Sequence, residues 1–82
     1  MNQPTSEPPP STAALVLDCL GQRCPLPVIA LARALPTVSV GEVIEVLSDD
    51  PAASADLPAW CRMRGQDLEG AEGSTYRVRR LS

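Results

Sequence analysis

The spacing of apolar residues changes period along the chain. Leu15, Val16 and Leu17 form a short aliphatic run closed by Asp18, which predicts a strand over 14–18. Leu20-Gly21-Gln22-Arg23 then reads as a loop that delivers the chain to Cys24. From Pro25 the apolar positions recur at helical spacing. Val28, Leu31, Ala32 and Leu35 share one face and Arg33 points away, so a helix is expected over 25–35, ended or kinked by Pro36. After a turn at Val40-Gly41-Glu42, the β-branched run over 43–48 predicts a second strand. Asp49-Asp50-Pro51 resembles a helix start, with Asp50 as N-cap and Pro51 as the first helical residue. That helix should reach about Arg64, be interrupted near Pro58 and stop at Gly65. Segments 66–71 and 75–81 read as strands joined at Glu72-Gly73-Ser74; in the second, Tyr76, Val78 and Leu81 alternate with Arg77 and Arg79.

The order is β-α-β-α-β-β. An α+β fold follows: a two-layer sandwich with two helices on one face of a mixed four-stranded sheet. The first helix makes a right-handed crossover between the first two strands. Cys24 then lies beyond the carboxyl end of the first strand, where such sheets usually carry their chemistry. Residues 1–13 hold Pro4, Pro8, Pro9 and Pro10 among polar residues and read as a disordered tail, leaving 14–82 as one domain. The tail lacks the basic and apolar segments of a signal peptide, and no apolar run approaches the ~18 residues of a membrane span. A cytoplasmic protein is expected, with thiols kept reduced.

Composition removes most routes to catalysis. The chain has no His, which excludes Cys-His and Ser-His-Asp chemistry and any His-containing zinc site. All 7 cationic side chains are Arg, so no lysine Schiff base can form. The 3 cysteines are too few for a four-thiolate metal site within one chain, and no cofactor is expected. A net charge of −3 gives no general attraction to nucleic acid or membrane. Phe is absent and Trp60 and Tyr76 are the only aromatics, so the core must be aliphatic.

What remains is a thiol in a special setting, Cys24-Pro25-Leu26-Pro27. With Cys24 as N-cap, Pro25 and Pro27 occupy the first and third helical positions, where no needed hydrogen bond is lost. The amides of Leu26 and Val28 are then the free donors near the sulfur. A thiol at the positive end of a helix ionises more easily, and the thiolate is the reactive form. Leu26 precedes a proline, which disfavours helical geometry and makes a strained or 3₁₀-like first turn an open alternative.

Taken together, Leu17-Asp18-x-Leu20-Gly21-x-x-Cys24-Pro25-x-Pro27, Gly41-Glu42, Asp49-Asp50-Pro51-Ala52 and Asp56-Leu57-Pro58 with Cys61 resemble the TusA/SirA/YedF family of small bacterial sulfur carriers. The resemblance spans roughly 14–81. It implies a βαβαββ fold and one reactive cysteine, Cys24, that accepts sulfane sulfur as a persulfide and relays it to a partner. It also implies a cysteine desulfurase or rhodanese-type donor and a DsrE-type or other acceptor. The pathways implied are tRNA thiolation, sulfur oxidation or cofactor synthesis. Such a protein is a sulfurtransferase-type carrier rather than a stand-alone turnover enzyme. Leu26 stands where the TusA branch often has Glu, which weakens assignment to the tRNA branch.

Pro25 and Pro27 are expected to be the scaffold of the site. Arg23 is a candidate stabiliser of the thiolate or persulfide, or a solvated loop residue. Leu26 is a partner contact or a surface apolar residue. Asp18, Asp49 and Asp50 read as turn and capping groups, and Cys61 as a core thiol. Cys19 lies close enough in sequence for a disulfide or resolving role with Cys24. Arg77, Arg79 and Arg80 read as a solvated strand face. A monomer is expected, with no membrane or direct nucleic-acid contact. The competing functional class is a regulatory or interaction module that uses no thiol chemistry.

Overall fold

A computed structural model gives the structure, which describes residues 13–82. Apart from Ala13, the expected tail lies outside the described residues. The elements are β1 (Leu15–Asp18), α1 (Leu26–Ala34), a 3₁₀ turn (Leu35–Thr37), β2 (Val43–Leu47), α2 (Ala53–Arg64), β3 (Asp67–Glu72) and β4 (Thr75–Arg79). The strands form one mixed sheet in the order β1-β2-β4-β3. β1 runs parallel to β2 and is joined to it through α1, while β4 pairs antiparallel with both β2 and β3. This is the expected α+β sandwich.

Strand periodicity assigns the two faces. Leu15 and Leu17 sit opposite Ile44 and Val46, which in turn sit opposite Val78 and Tyr76. With Leu68 they make the sheet side of the core, against Leu31, Leu35, Leu57, Trp60 and Cys61 from the helical layer. The opposite face is polar. Arg77 reaches Glu45 at 3.4 Å and Glu69 at 3.6 Å, and Arg79 Nε donates to Glu69 at 2.8 Å. A bulge between Leu68 and Gly70 makes Glu69 the extra residue of β3. The Arg79 hydrogen bond comes first among the causes that hold the Glu69 carboxyl below its usual range. So Arg77 and Arg79, read from the sequence as solvated, are tied into ion pairs across three strands.

Three local expectations need correction. The first helix begins at Leu26, with Pro25 as N-cap, and gives way to the 3₁₀ turn containing Pro36. Of the expected face, Leu31 and Leu35 are buried while Val28 and Ala32 are only partly so, and the buried stripe of the helix is Pro27, Leu31 and Ala34. The second helix starts at Ala53 rather than Pro51, and it continues through Pro58. Proline there removes one backbone bond to the preceding turn. Ala53, Leu57, Trp60 and Cys61 form a buried stripe on either side, and such packing supplies most of a helix's stability. Gly65 does end α2, in a left-handed conformation (φ 71°), with the Gln66 amide donating to the Cys61 carbonyl at 2.8 Å.

Leu31 is fully buried where α1 meets the sheet, whereas Val40 is well exposed. Leu31→Ala should cost about 2–5 kcal/mol in denaturant unfolding, and Val40→Ala no more than about 0.5 kcal/mol.

Candidate functional site

The parallel pairing of β1 and β2 brings their carboxyl ends side by side. The loop after β1 therefore meets the loop after β2. The Cys19 amide extends the ladder to the Leu47 carbonyl at 2.8 Å, and both chains then leave the sheet together. Two consecutive carboxylates fasten the loops to each other. Asp49 Oδ1 accepts from the Gly21 amide at 3.0 Å, and Asp50 Oδ2 accepts from the Cys24 amide at 2.7 Å. Gly21 turns the chain with φ 81°, a conformation that glycine adopts without a steric cost. Asp18 braces the same loop by accepting from Leu20 at 3.1 Å.

Asp50 is the buried member, 8% exposed. A buried carboxylate is costly unless its oxygens are bonded. Besides the Cys24 amide, it accepts from Ala52 at 3.2 Å, and Arg23 NH1 lies 4.0 Å from Oδ1. The Arg23 side chain is 78% exposed, so this ion pair contributes little by itself. Asp50 thus does brace the entry to α2, as a capping group should, but its other oxygen positions the cysteine.

Cys24 is exposed at the top of a cleft between the start of α1 and α2. The cleft encloses about 290 Å³ and is lined by Pro25, Val28, Asp56, Ala59, Trp60 and Met63. Beneath the thiol, a smaller recess is walled by Pro27, Asp50, Asp56 and Leu57. Arg64 covers the Trp60 ring at 5.4 Å. On the outer side of α1, Leu26 and Ile29 are a turn apart and exposed, so the sulfur has apolar surface on both flanks.

The electrostatics differ from the expected activation by a helix start. The Leu26 amide, counted on as a free donor, is used by the Arg23 carbonyl at 2.8 Å. The thiol is pushed above its ordinary range, first by a hydrogen bond to Asp56, then by desolvation and by the Asp56 and Asp50 charges. The other cysteines are placed differently. Cys19 is 2% exposed and belongs to the core, where burial raises its thiol; all three thiols are free. Cys61 is a core thiol as expected, pushed up to about 11 by burial.

The site therefore gathers Arg23, Cys24, Pro25, Leu26 and Pro27, with Pro27 buried under the loop. It also includes Asp50 as the positioning carboxylate and Asp56 as the neighbour of the thiol. Neither role was read from the sequence. For Asp50 the signal was present: once β1 and β2 are taken as parallel neighbours, the loops at their carboxyl ends must meet.

Residues 15–79 match the family model of Sulfurtransferase TusA. The chain belongs to the TusA sulfurtransferase family. A relative from Archaeoglobus fulgidus, named as a candidate sulfur carrier protein, is 46% identical over 52 residues, covering 63% of this chain and 68% of its own. The crystal structure of a SirA-like protein from Desulfitobacterium hafniense superimposes with a TM-score of 0.60 at 28% identity, over 78% of this chain and 90% of that one. Membership of the TusA family supports a sulfur-carrier role that involves sulfur donors and acceptors. No helix among the described residues is long and apolar enough to cross a membrane.

In this TusA-family chain, one of the three thiols, Cys24, is exposed. A chromogenic disulfide reagent should titrate one thiol in the native protein and three in denaturant. More than one fast native thiol would contradict the burial of Cys19 and Cys61.

Proposed function

We propose that Cys24 carries sulfane sulfur as a persulfide, loaded by a cysteine desulfurase or rhodanese-type donor and unloaded onto a DsrE-type or other acceptor. The observation that carries this reading is the fixed, exposed Cys24: its amide is bonded to the buried Asp50, and its sulfur opens onto an apolar cleft. No other thiol lines that cleft among the described residues.

Loading needs little machinery. The Cys24 thiolate attacks the outer sulfur of the donor's persulfide; one S–S bond forms, the donor's S–S bond breaks, and the donor leaves as a thiolate that takes up the proton. No external oxidant is required, because the outer sulfur arrives already oxidised. Unloading is the same exchange with the acceptor's thiolate as attacker. Pro25 and Pro27 hold the loop, Leu26 and Ile29 meet the partner, and Arg23 stands at the rim. The carrier works in the cytoplasm and feeds tRNA thiolation, sulfur oxidation or cofactor synthesis through its acceptor.

Incubation with a cysteine desulfurase, its pyridoxal cofactor and cysteine, followed by intact mass measurement, should add about 32 Da per sulfur atom to the wild type and nothing to Cys24→Ser. A gain on Cys24→Ser, or none on the wild type from desulfurase or rhodanese-type donors, contradicts the reading. A regulatory module without thiol chemistry would leave Cys24→Ser active in cells.

A further inference from the structure

Asp56 lies in the first turn of α2. It lines the recess beneath Cys24 with Pro27, Val28 and Leu57, and also the cleft onto which the thiol opens. It is not a helix cap: that work falls to Asp50, which accepts from the Ala52 amide. Among the described residues the Asp56 side chain takes no backbone or arginine partner; as a first-turn carboxylate it suits the α2 dipole, and it also lines the recess under the thiol. The other charged groups at the cleft are Asp50, from the loop before α2, and Arg23, from the loop before the thiol. α1 and its N-cap contribute only Pro25, Pro27 and Val28, and the rest of the α2 lining is uncharged, with Arg64 held over Trp60.

We propose that Asp56 is the proton-holding residue of Cys24: its carboxylate keeps the thiol protonated in the free protein, and a cationic group on the docking sulfur donor, by pairing with that carboxylate, releases the thiolate. The inference rests on reading Cys24 as the carrier. A carboxylate that accepts the S–H bond favours the neutral thiol, and a neighbouring cation reverses that preference. The thiol proton passes to water, the thiolate attacks as described above, and the departing donor thiolate recovers a proton. A protonated thiol resists alkylation and oxidation, so the free carrier is guarded. The donor selected is one with a basic side chain beside its persulfide sulfur.

The test is the pH profile of Cys24 alkylation by neutral iodoacetamide, read by intact mass on the full chain, for wild type, Asp56→Asn and Asp56→Glu. Asp56→Asn should shift the profile toward acid and react about threefold or more faster near pH 7, while Asp56→Glu keeps the wild-type midpoint. The wild type should also react faster with cystamine, a cationic disulfide, than with anionic dithiodipropionate, and Asp56→Asn should lose most of that preference. An Asp56→Asn profile that superimposes on the wild type, with native circular dichroism, overturns the proposal. So does a wild-type midpoint at or below the ~8.5 of an ordinary cysteine, which needs no variant to fold. None of these rates involves a sulfur donor. A profile that shifts as expected in a protein that gains no sulfur therefore supports the role of Asp56 and counts against the persulfide reading alone.

Discussion

The 2.7 Å hydrogen bond from the Cys24 amide to the Asp50 carboxylate joins chain segments 26 residues apart. The geometry of the Cys24 loop depends on it. A buried carboxylate must have its oxygens occupied, and here backbone amides occupy both. A charged hydrogen bond of this kind contributes about 1.5–3 kcal/mol, and losing it leaves a buried group unpaired. The cysteine is therefore held by its backbone, which leaves the sulfur free and exposed. Asp49 repeats the device at Gly21, so the loop is pinned at two points.

The same carboxylates bias the chemistry. Asp50 and Asp56 both oppose ionisation of Cys24, and the exposed Arg23 guanidinium is directed to Asp50. Position and reactivity are thus set by opposite tendencies: the loop is presented, but its sulfur is kept as a thiol. For a carrier this is a coherent arrangement, since a persistent thiolate would react with oxidants and metals as readily as with a sulfur donor. The aliphatic core behind the loop supports this arrangement. Pro27 and Leu31 bury the inner side of α1, and Leu57 and Trp60 that of α2, so the cleft between the helix starts has firm walls.

Much of the fold was legible because the strong signals were local. The alternation of Tyr76 and Val78 with Arg77 and Arg79, the β-branched run over 43–48, and Gly65 after α2 each specify an element without help from distant residues. Pro58 does not interrupt α2 as its local cost would suggest, because the compensation comes from the buried stripe of α2 against the core. The helix starts moved for a related reason. At both, a turn precedes the helix: Leu26 donates to Arg23, and Ala53 donates to the Asp50 carbonyl. The cysteine was legible from its prolines. Its electrostatic surroundings were not, because Asp50 and Asp56 reach it from segments more than 25 residues away, and each has a sufficient local explanation as a capping or helix-surface residue.

The central claim is that Asp50 holds Cys24 through its amide. Residue-resolved hydrogen exchange on wild type and Asp50→Ala tests it most directly. The account predicts a protected Cys24 amide in the wild type that exchanges at open-loop rates in Asp50→Ala, while the Ile44 and Val46 amides of the core stay protected. A Cys24 amide that is unprotected in the wild type, or equally protected without the carboxylate, would contradict it.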